Sequence, residues 1–179
     1  MSNQPHDAAR LVLDHLRWVD GHADVWRLFL DAEALQAVVH ELVVPWRRRG
    51  ITKLCGIESR GFLLGGAAAV ALGVGFIAVR KTDGLLPGVK ITELAEMDYR
   101  GRRHQLRMQR GALHPSDRVL LVDDWAEKGS QALAARRLVE RCGADFAGVS
   151  VIVNQLAPDV EFRLAPVTHL VRGADLGQG

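Results

Sequence analysis

Between residues 31 and 49 the apolar positions Leu35, Val38, Val39, Leu42, Val43 and Trp46 recur at spacings of three and four, which predicts an amphipathic helix with one face turned to a core. Asp31 is placed to cap its first turn and Gly50 to end it. The pattern then changes. Four short runs, ITKLCGI at 51–57, GFIAVRK at 75–81, RVLLVDD at 118–124 and GVSVIVNQL at 148–156, are rich in apolar and β-branched residues and predict strands, several of them buried on both faces. Residues 62–72 and 131–142 read as helices, the second stopped at Cys142-Gly143. Strands alternating with helices predict an α/β fold built on a doubly wound, mainly parallel sheet.

Two stretches depart from that alternation. Residues 82–117 are polar and punctuated by Gly84, Pro87, Gly88, Gly101, Gly111 and Pro115. Within them His104, Leu106 and Met108 alternate with Gln105, Arg107 and Gln109, as in a short antiparallel ribbon with a weak apolar face. The first thirty residues, with Trp18 and Trp26, stand apart from the sheet pattern and are expected to form a small cap. A length of 179 residues, 48% hydrophobic, fits one domain over 1–179, with a core of about 31–156 and the cap completed by the C-terminal segment.

Charge and cysteine content narrow the functional classes. A net charge of +2 is too mild to point to nucleic acid, although Arg100, Arg102, Arg103, Arg107 and Arg110 make a local positive stretch suited to a polyanion. Cys55 and Cys142 are the two cysteines; each sits in an apolar or helical pattern and is expected to be a buried thiol in a reducing compartment. Without a run of eighteen apolar residues, no membrane span is expected, and a start of MSNQPHDAAR lacks the basic and apolar regions of a secretory signal. A cytoplasmic location follows as the expectation. The seven histidines are scattered, with no spacing typical of metal ligands.

The chemistry concentrates where strands end. In VLLVDDWAEKGSQ, 119–131, a strand ends at Asp123 and Asp124 and Gly129-Ser130-Gln131 opens a helix. Ligands of open parallel sheets bind beyond the carboxyl ends of the strands, and a helix N-terminus seats a phosphate on its free amides. Two carboxylates beside that seat suit sugar hydroxyls or a divalent cation held through water. GIESRGF, 56–62, puts Arg60 after a second strand, where a guanidinium can clasp phosphate oxygens. VRKTDGLLPG, 79–88, puts Arg80 and Lys81 at a third. Each segment alone is equally read as surface charge after a strand; together they describe a site for two separated phosphates and a diol.

The order and spacing of these three segments resemble the adenine phosphoribosyltransferases and their type I relatives, over roughly residues 24–156. The family patterns are G-[IL]-[DE]-[SA]-R-G-F, V-R-K-x-G-K-L-P-G and V-D-D-x-x-A-T-G-G-T. The resemblance implies that Ser59 and Arg60 form a pyrophosphate loop, aided by Arg80 and Lys81, that Asp123 and Asp124 hold the ribose hydroxyls and magnesium, and that Ala126, Glu127, Lys128, Gly129, Ser130 and Gln131 wrap a 5′-phosphate. It implies that Trp26-Arg27 and Leu156 hold the base, that Asp98 is the acid/base, and that Arg60 stabilises the leaving group. Where the family has A-T-G-G-T the chain has Glu127-Lys128-Gly129-Ser130-Gln131, and the family's closing Leu-x-Gly-Arg element is replaced by APDVEFRLAPV. The implied function is a magnesium-dependent transferase that moves ribose 5-phosphate from phosphoribosyl diphosphate to a purine-like, heteroaromatic base, acting as a homodimer. The alternative is a regulatory protein that binds phosphoribosyl diphosphate without turnover.

Overall fold

The computed structural model describes residues 7–82, 85–97 and 103–177. The chain begins with helix α1 (Ala8–His15), a two-stranded hairpin of β1 (Arg17–Val19) and β2 (His22–Asp24), and a short helix α2 (Trp26–Leu30). Asp20 and Gly21 both take positive φ, 50° and 72°, the turn that matches the twist of a two-residue hairpin. Helix α3 (Ala32–Val43) follows, capped by Asp31, whose Oδ1 accepts from the Ala34 amide at 2.8 Å. It is shorter than the periodicity of 31–49 predicts. Pro45 has no N–H to give the preceding turn, and the chain tightens into a 3₁₀ turn at Val44–Trp46.

A seven-stranded sheet forms the centre, from β3 (Lys53–Ile57), β4 (Gly75–Lys81), β5 (Lys90–Leu94), β6 (Gln105–Gln109), β7 (Arg118–Ala126), β8 (Asp145–Asn154) and β9 (Val167–Arg172), interleaved with α4 (Arg60–Leu72), α5 (Ser130–Arg141) and α6 (Pro158–Leu164). Its order is β5-β6-β4-β3-β7-β8-β9. The pairs β4–β3, β3–β7, β7–β8 and β8–β9 are parallel, and β6 runs antiparallel to both β4 and β5. One face packs on α5 through Cys55, Ile77, Val79, Leu121, Val149 and Leu138. The other packs on α1 to α4 through Leu54, Leu120, Ile152, Leu28, Val38, Trp46 and Leu64. Helices on both faces make this the doubly wound α/β architecture that the alternation predicts.

The differences from the sequence reading have local causes. Strand β7 does not stop at Asp124, because Trp125 and Ala126 stay in register with Val153 and Asn154 of β8. Only residues 127–129 then separate it from α5. Strand β8 starts at Asp145 and ends at Asn154, and β3 starts two residues later than expected, at Lys53. Leu106 and Met108 are fully buried rather than weakly apolar, since β6 is joined to the main sheet through Arg80↔Arg107 and Lys81↔Leu106. Cys55 is buried, but Cys142 caps α5 and is half-exposed, its thiol donating to the Arg110 carbonyl at 3.7 Å. Helix α6 and strand β9 were not anticipated.

Candidate active site

Where β3, β4 and β7 end together, a cavity of about 600 Å³ opens at the carboxyl edge of the sheet. Glu58, Ser59 and Arg60 line one end, Asp123 and Asp124 the middle, and the 126–131 turn the other, with Lys81 from β4. Two helices, α4 and α5, start at this cavity. Each directs unpaired amides and the positive end of its dipole there, one at each end of the carboxylate pair.

Close backbone packing holds the first turn. Gly56 and Gly61 approach so tightly that a Cβ on Gly56 would lie 1.9 Å from the Gly61 carbonyl oxygen, and one on Gly61 would lie 2.9 Å from Asp123 Oδ1. That contact lets α4 begin at Arg60, two residues before the expected start, and brings Arg60 over the acids. Arg60 Nε donates to Asp124 Oδ2 at 2.5 Å, and Asp124 is 4% exposed. The Asp124 amide donates to Asp123 Oδ1 at 2.9 Å. Burial, followed by the neighbouring Asp124 charge, pushes the Asp123 carboxyl well above the usual range. Beneath it the Cys55 thiol is pushed up to about 12 by burial and then by Asp123, which leaves it inert as a nucleophile.

At the opposite end Gly129 takes φ +71° at the N-cap of α5. A Cβ there would meet Val160 Cγ1 at 2.6 Å and Leu156 Cδ2 at 2.8 Å, so the turn needs glycine for both conformation and space. Ser130 is buried behind it. Glu127, Lys128 and Gln131 complete the rim.

Several residues picked from the sequence lie elsewhere. Arg80 does not line the cavity: its Nη2 and Nε bind Glu58 at 2.8 and 3.2 Å, and its Nη1 donates to the Leu85 carbonyl. The Arg80 bond, outweighing burial, holds Glu58 below the usual carboxylate range. Arg80 therefore braces the 58–60 turn against β4. Trp26 packs edge-on against Phe29 at 5.6 Å, and Arg27 pairs with Asp24 at 3.2 Å; neither lines the cavity. Leu156 is buried under Gly129 and lines a second cavity of about 770 Å³ beyond the 126–131 turn. Asp98 and the centre of the arginine-rich stretch, Arg100 and Arg102, lie outside the described residues. Among the described residues no cluster of three or more His, Cys, Asp or Glu is arranged to hold a metal ion by itself.

The cavity also has walls that motif reading passed over. Trp18, Gly21, His22, Ala23 and Val25 come from the hairpin and its exit, and Trp125 and Gln155 from the ends of β7 and β8. Trp18 meets Trp125 edge to face, with ring centroids 6.2 Å apart. The available signal was position: Trp125 directly follows the acid pair, and Gln155 directly follows β8.

No family model matches the chain. The adenine phosphoribosyltransferase of Maricaulis maris is 39% identical over 152 residues, which cover 83% of this chain and 85% of that protein. The crystal structure of adenine phosphoribosyltransferase from Rhodothermus marinus superposes with a TM-score of 0.82 at 32% identity, covering 92% of this chain and 98% of that one. That from Giardia lamblia, complexed with 9-deazaadenine, gives 0.81 at 30% identity, covering 96% and 98%. At that identity and coverage, with the three strand-end segments gathered on one cavity, the chain belongs to the adenine phosphoribosyltransferase family.

Proposed function

We propose that the chain transfers ribose 5-phosphate from phosphoribosyl diphosphate to a purine base, adenine by similarity, with release of pyrophosphate, as in purine salvage. The observation that carries this reading is the cavity order: a pyrophosphate turn at Ser59–Arg60, a carboxylate pair, and a phosphate turn at α5, in one space. A base nitrogen forms its bond to C1 of the ribose with its lone pair. The C1–O bond to the diphosphate breaks, its electron pair leaves with pyrophosphate, and the nitrogen loses its proton. Arg60, Lys81 and the start of α4 receive the leaving charge, as preorganised groups in a sheltered site do well. Asp123 and Asp124 accept from the ribose hydroxyls, and the 126–131 turn wraps the 5′-phosphate. Asp98 is proposed as the proton acceptor.

The carboxylate pair also fits a magnesium ion that enters with the diphosphate. Both donors are hard oxygens, and a cation beside the pair would offset the mutual repulsion that, after burial, raises the proton affinity of Asp123. Asp123 and Asp124 would hold the ion through water, and it would neutralise charge on the diphosphate.

A homodimer belongs to the same reading. Helix α4 carries no charged residue after Arg60, yet Leu63 and Val70 are exposed, with Gly66 and Ala67 between them on the same stripe. A helix apolar all round is normally buried, and a second copy would cover this one; sedimentation showing a concentration-independent monomer would exclude it.

The test is incubation of the protein with phosphoribosyl diphosphate, magnesium and a panel of bases. The expected result is pyrophosphate release with a nucleotide formed from adenine. Binding of phosphoribosyl diphosphate without turnover of any base would instead leave the regulatory reading.

A further inference from the structure

The first two residues of α4 meet the two acids of β7 one to one. Gly61 lies so close to Asp123 that a Cβ on it would fall 2.9 Å from Asp123 Oδ1, and the same oxygen accepts from the Asp124 amide at 2.9 Å. Arg60 reaches the other acid, its Nε donating to Asp124 Oδ2 at 2.5 Å. Asp124 is buried, and its neighbours Asp123 and Trp125 stay in register with Val151 and Val153 of β8, so the acceptor is fixed. The bond engages the inner nitrogen of the guanidinium. Among the described residues neither Nη1 nor Nη2 of Arg60 has a hydrogen bond or ion pair, and the side chain is part-exposed where it lines the cavity. A guanidinium is planar, with five donors in a rigid fork. Holding Nε at a buried carboxylate therefore fixes the plane and leaves open the two-nitrogen end, which can clasp a phosphate bidentately.

We propose that Asp124 is a positioning residue for pyrophosphate: through Oδ2 it fixes the Arg60 guanidinium before the diphosphate arrives, in addition to its part at the ribose hydroxyls. This rests on the transferase reading and deepens it. An arginine that is free to move loses rotamer freedom when it closes on a ligand, and that loss weakens binding; here the fold has already imposed the order. Charge alone acts in the opposite direction, since a carboxylate beside an anion site repels the anion. The two effects can be separated at position 124. Asparagine loses the charge but keeps an oxygen that accepts from Arg60, whereas alanine loses both.

The probe is pyrophosphate alone with a chelator present, so that neither ribose nor magnesium contributes, and affinity is read by calorimetry, which needs no turnover. Asp124→Ala should bind pyrophosphate roughly three- to tenfold more weakly than Asp124→Asn, the effect of leaving one rotamer-rich side chain to be ordered on binding. In an Arg60→Ala background the same two substitutions should bind pyrophosphate equally, because the side chain they position is gone. Asp124→Val, close to aspartate in shape, takes the place of the alanine variant if circular dichroism shows the latter to be unfolded. Equal affinity of the asparagine variant and its alanine or valine counterpart would overturn the inference, and so would a difference that persists without Arg60. The expected pattern of pyrophosphate binding, with no nucleotide formed by the wild type from any base, would overturn the transferase reading and leave the positioning role standing.

Discussion

Replacing Gly129 with alanine probes the turn before α5 at the point where conformation and packing coincide. The residue sits at φ +71°, and an L-residue held in the left-handed region costs about 1–2 kcal/mol. The new methyl would lie 2.6 Å from Val160 Cγ1 and 2.8 Å from Leu156 Cδ2, and overpacking of that kind costs about 1–3 kcal/mol. Leu156 can rotate away more readily than the β-branched Val160, so a total of about 2–4 kcal/mol is expected, a fall in Tm of roughly 5–15 °C for a chain of this size. Urea unfolding measures the loss, and calorimetry with ribose 5-phosphate should show severalfold weaker binding. Adding Val160→Ala removes one of the two clashes while leaving the backbone strain. The double variant should therefore be more stable than the sum of the single effects by about 1 kcal/mol. A Gly129→Ala protein within about 0.5 kcal/mol of wild type, or strict additivity with Val160→Ala, would refute this account of the turn.

Arg60→Ala should weaken pyrophosphate binding about tenfold and ribose 5-phosphate binding much less; equal losses would make Arg60 a structural residue. Its removal also strands the buried Asp124 carboxylate, but the Arg60 side chain is 38% exposed, so the stability cost should be roughly 1–2 kcal/mol, between surface and buried pairs. Burial acts to raise the Asp117 carboxyl, but the His114 amide, Lys53 and Thr52 outweigh it and hold it at about 2. A depressed carboxyl stabilises the fold above its unfolded value and loses that contribution as pH falls through the folded one. Wild-type stability should thus drop by up to about 2 kcal/mol between pH 4 and pH 2, and Asp117→Asn, measured by urea unfolding, should lack that component.

What was legible in the sequence was whatever rests on local periodicity or on strand-end chemistry. The runs at 53–57, 75–81 and 118–126 are hydrophobic because both faces of those strands are covered by helices, and that burial leaves a direct trace in composition. Ser59-Arg60 and Gly129 could be placed because each follows such a run, and the Asp123-Asp124 pair because it lies among the last residues of one. Residues whose position depends on tertiary contact could not. That Arg80 turns its guanidinium to Glu58 and lies off the cavity is a tertiary pairing that the strand-end position alone does not reveal. Gln155 and Trp125, thirty residues apart in the chain, become one unit only when β7 and β8 pair. Strand β9 carries His169 at its centre and sits beside a proline, which obscures a short edge strand, and β5 reads as loop because Lys90, Thr92 and Leu94 lie on its exposed side.

The central claim, that this cavity is a transferase site organised by its carboxylate pair, is tested most directly by comparing the wild type with Asp123→Asn/Asp124→Asn. The measurement is release of pyrophosphate from magnesium phosphoribosyl diphosphate, with and without adenine. The wild type should release pyrophosphate only when adenine is present, in step with nucleotide formation. The double variant, folded by its circular dichroism, should neither turn over nor bind the diphosphate, since amides do not replace two carboxylates on a diol and a cation. Turnover by the folded double variant at the wild-type rate would contradict the account.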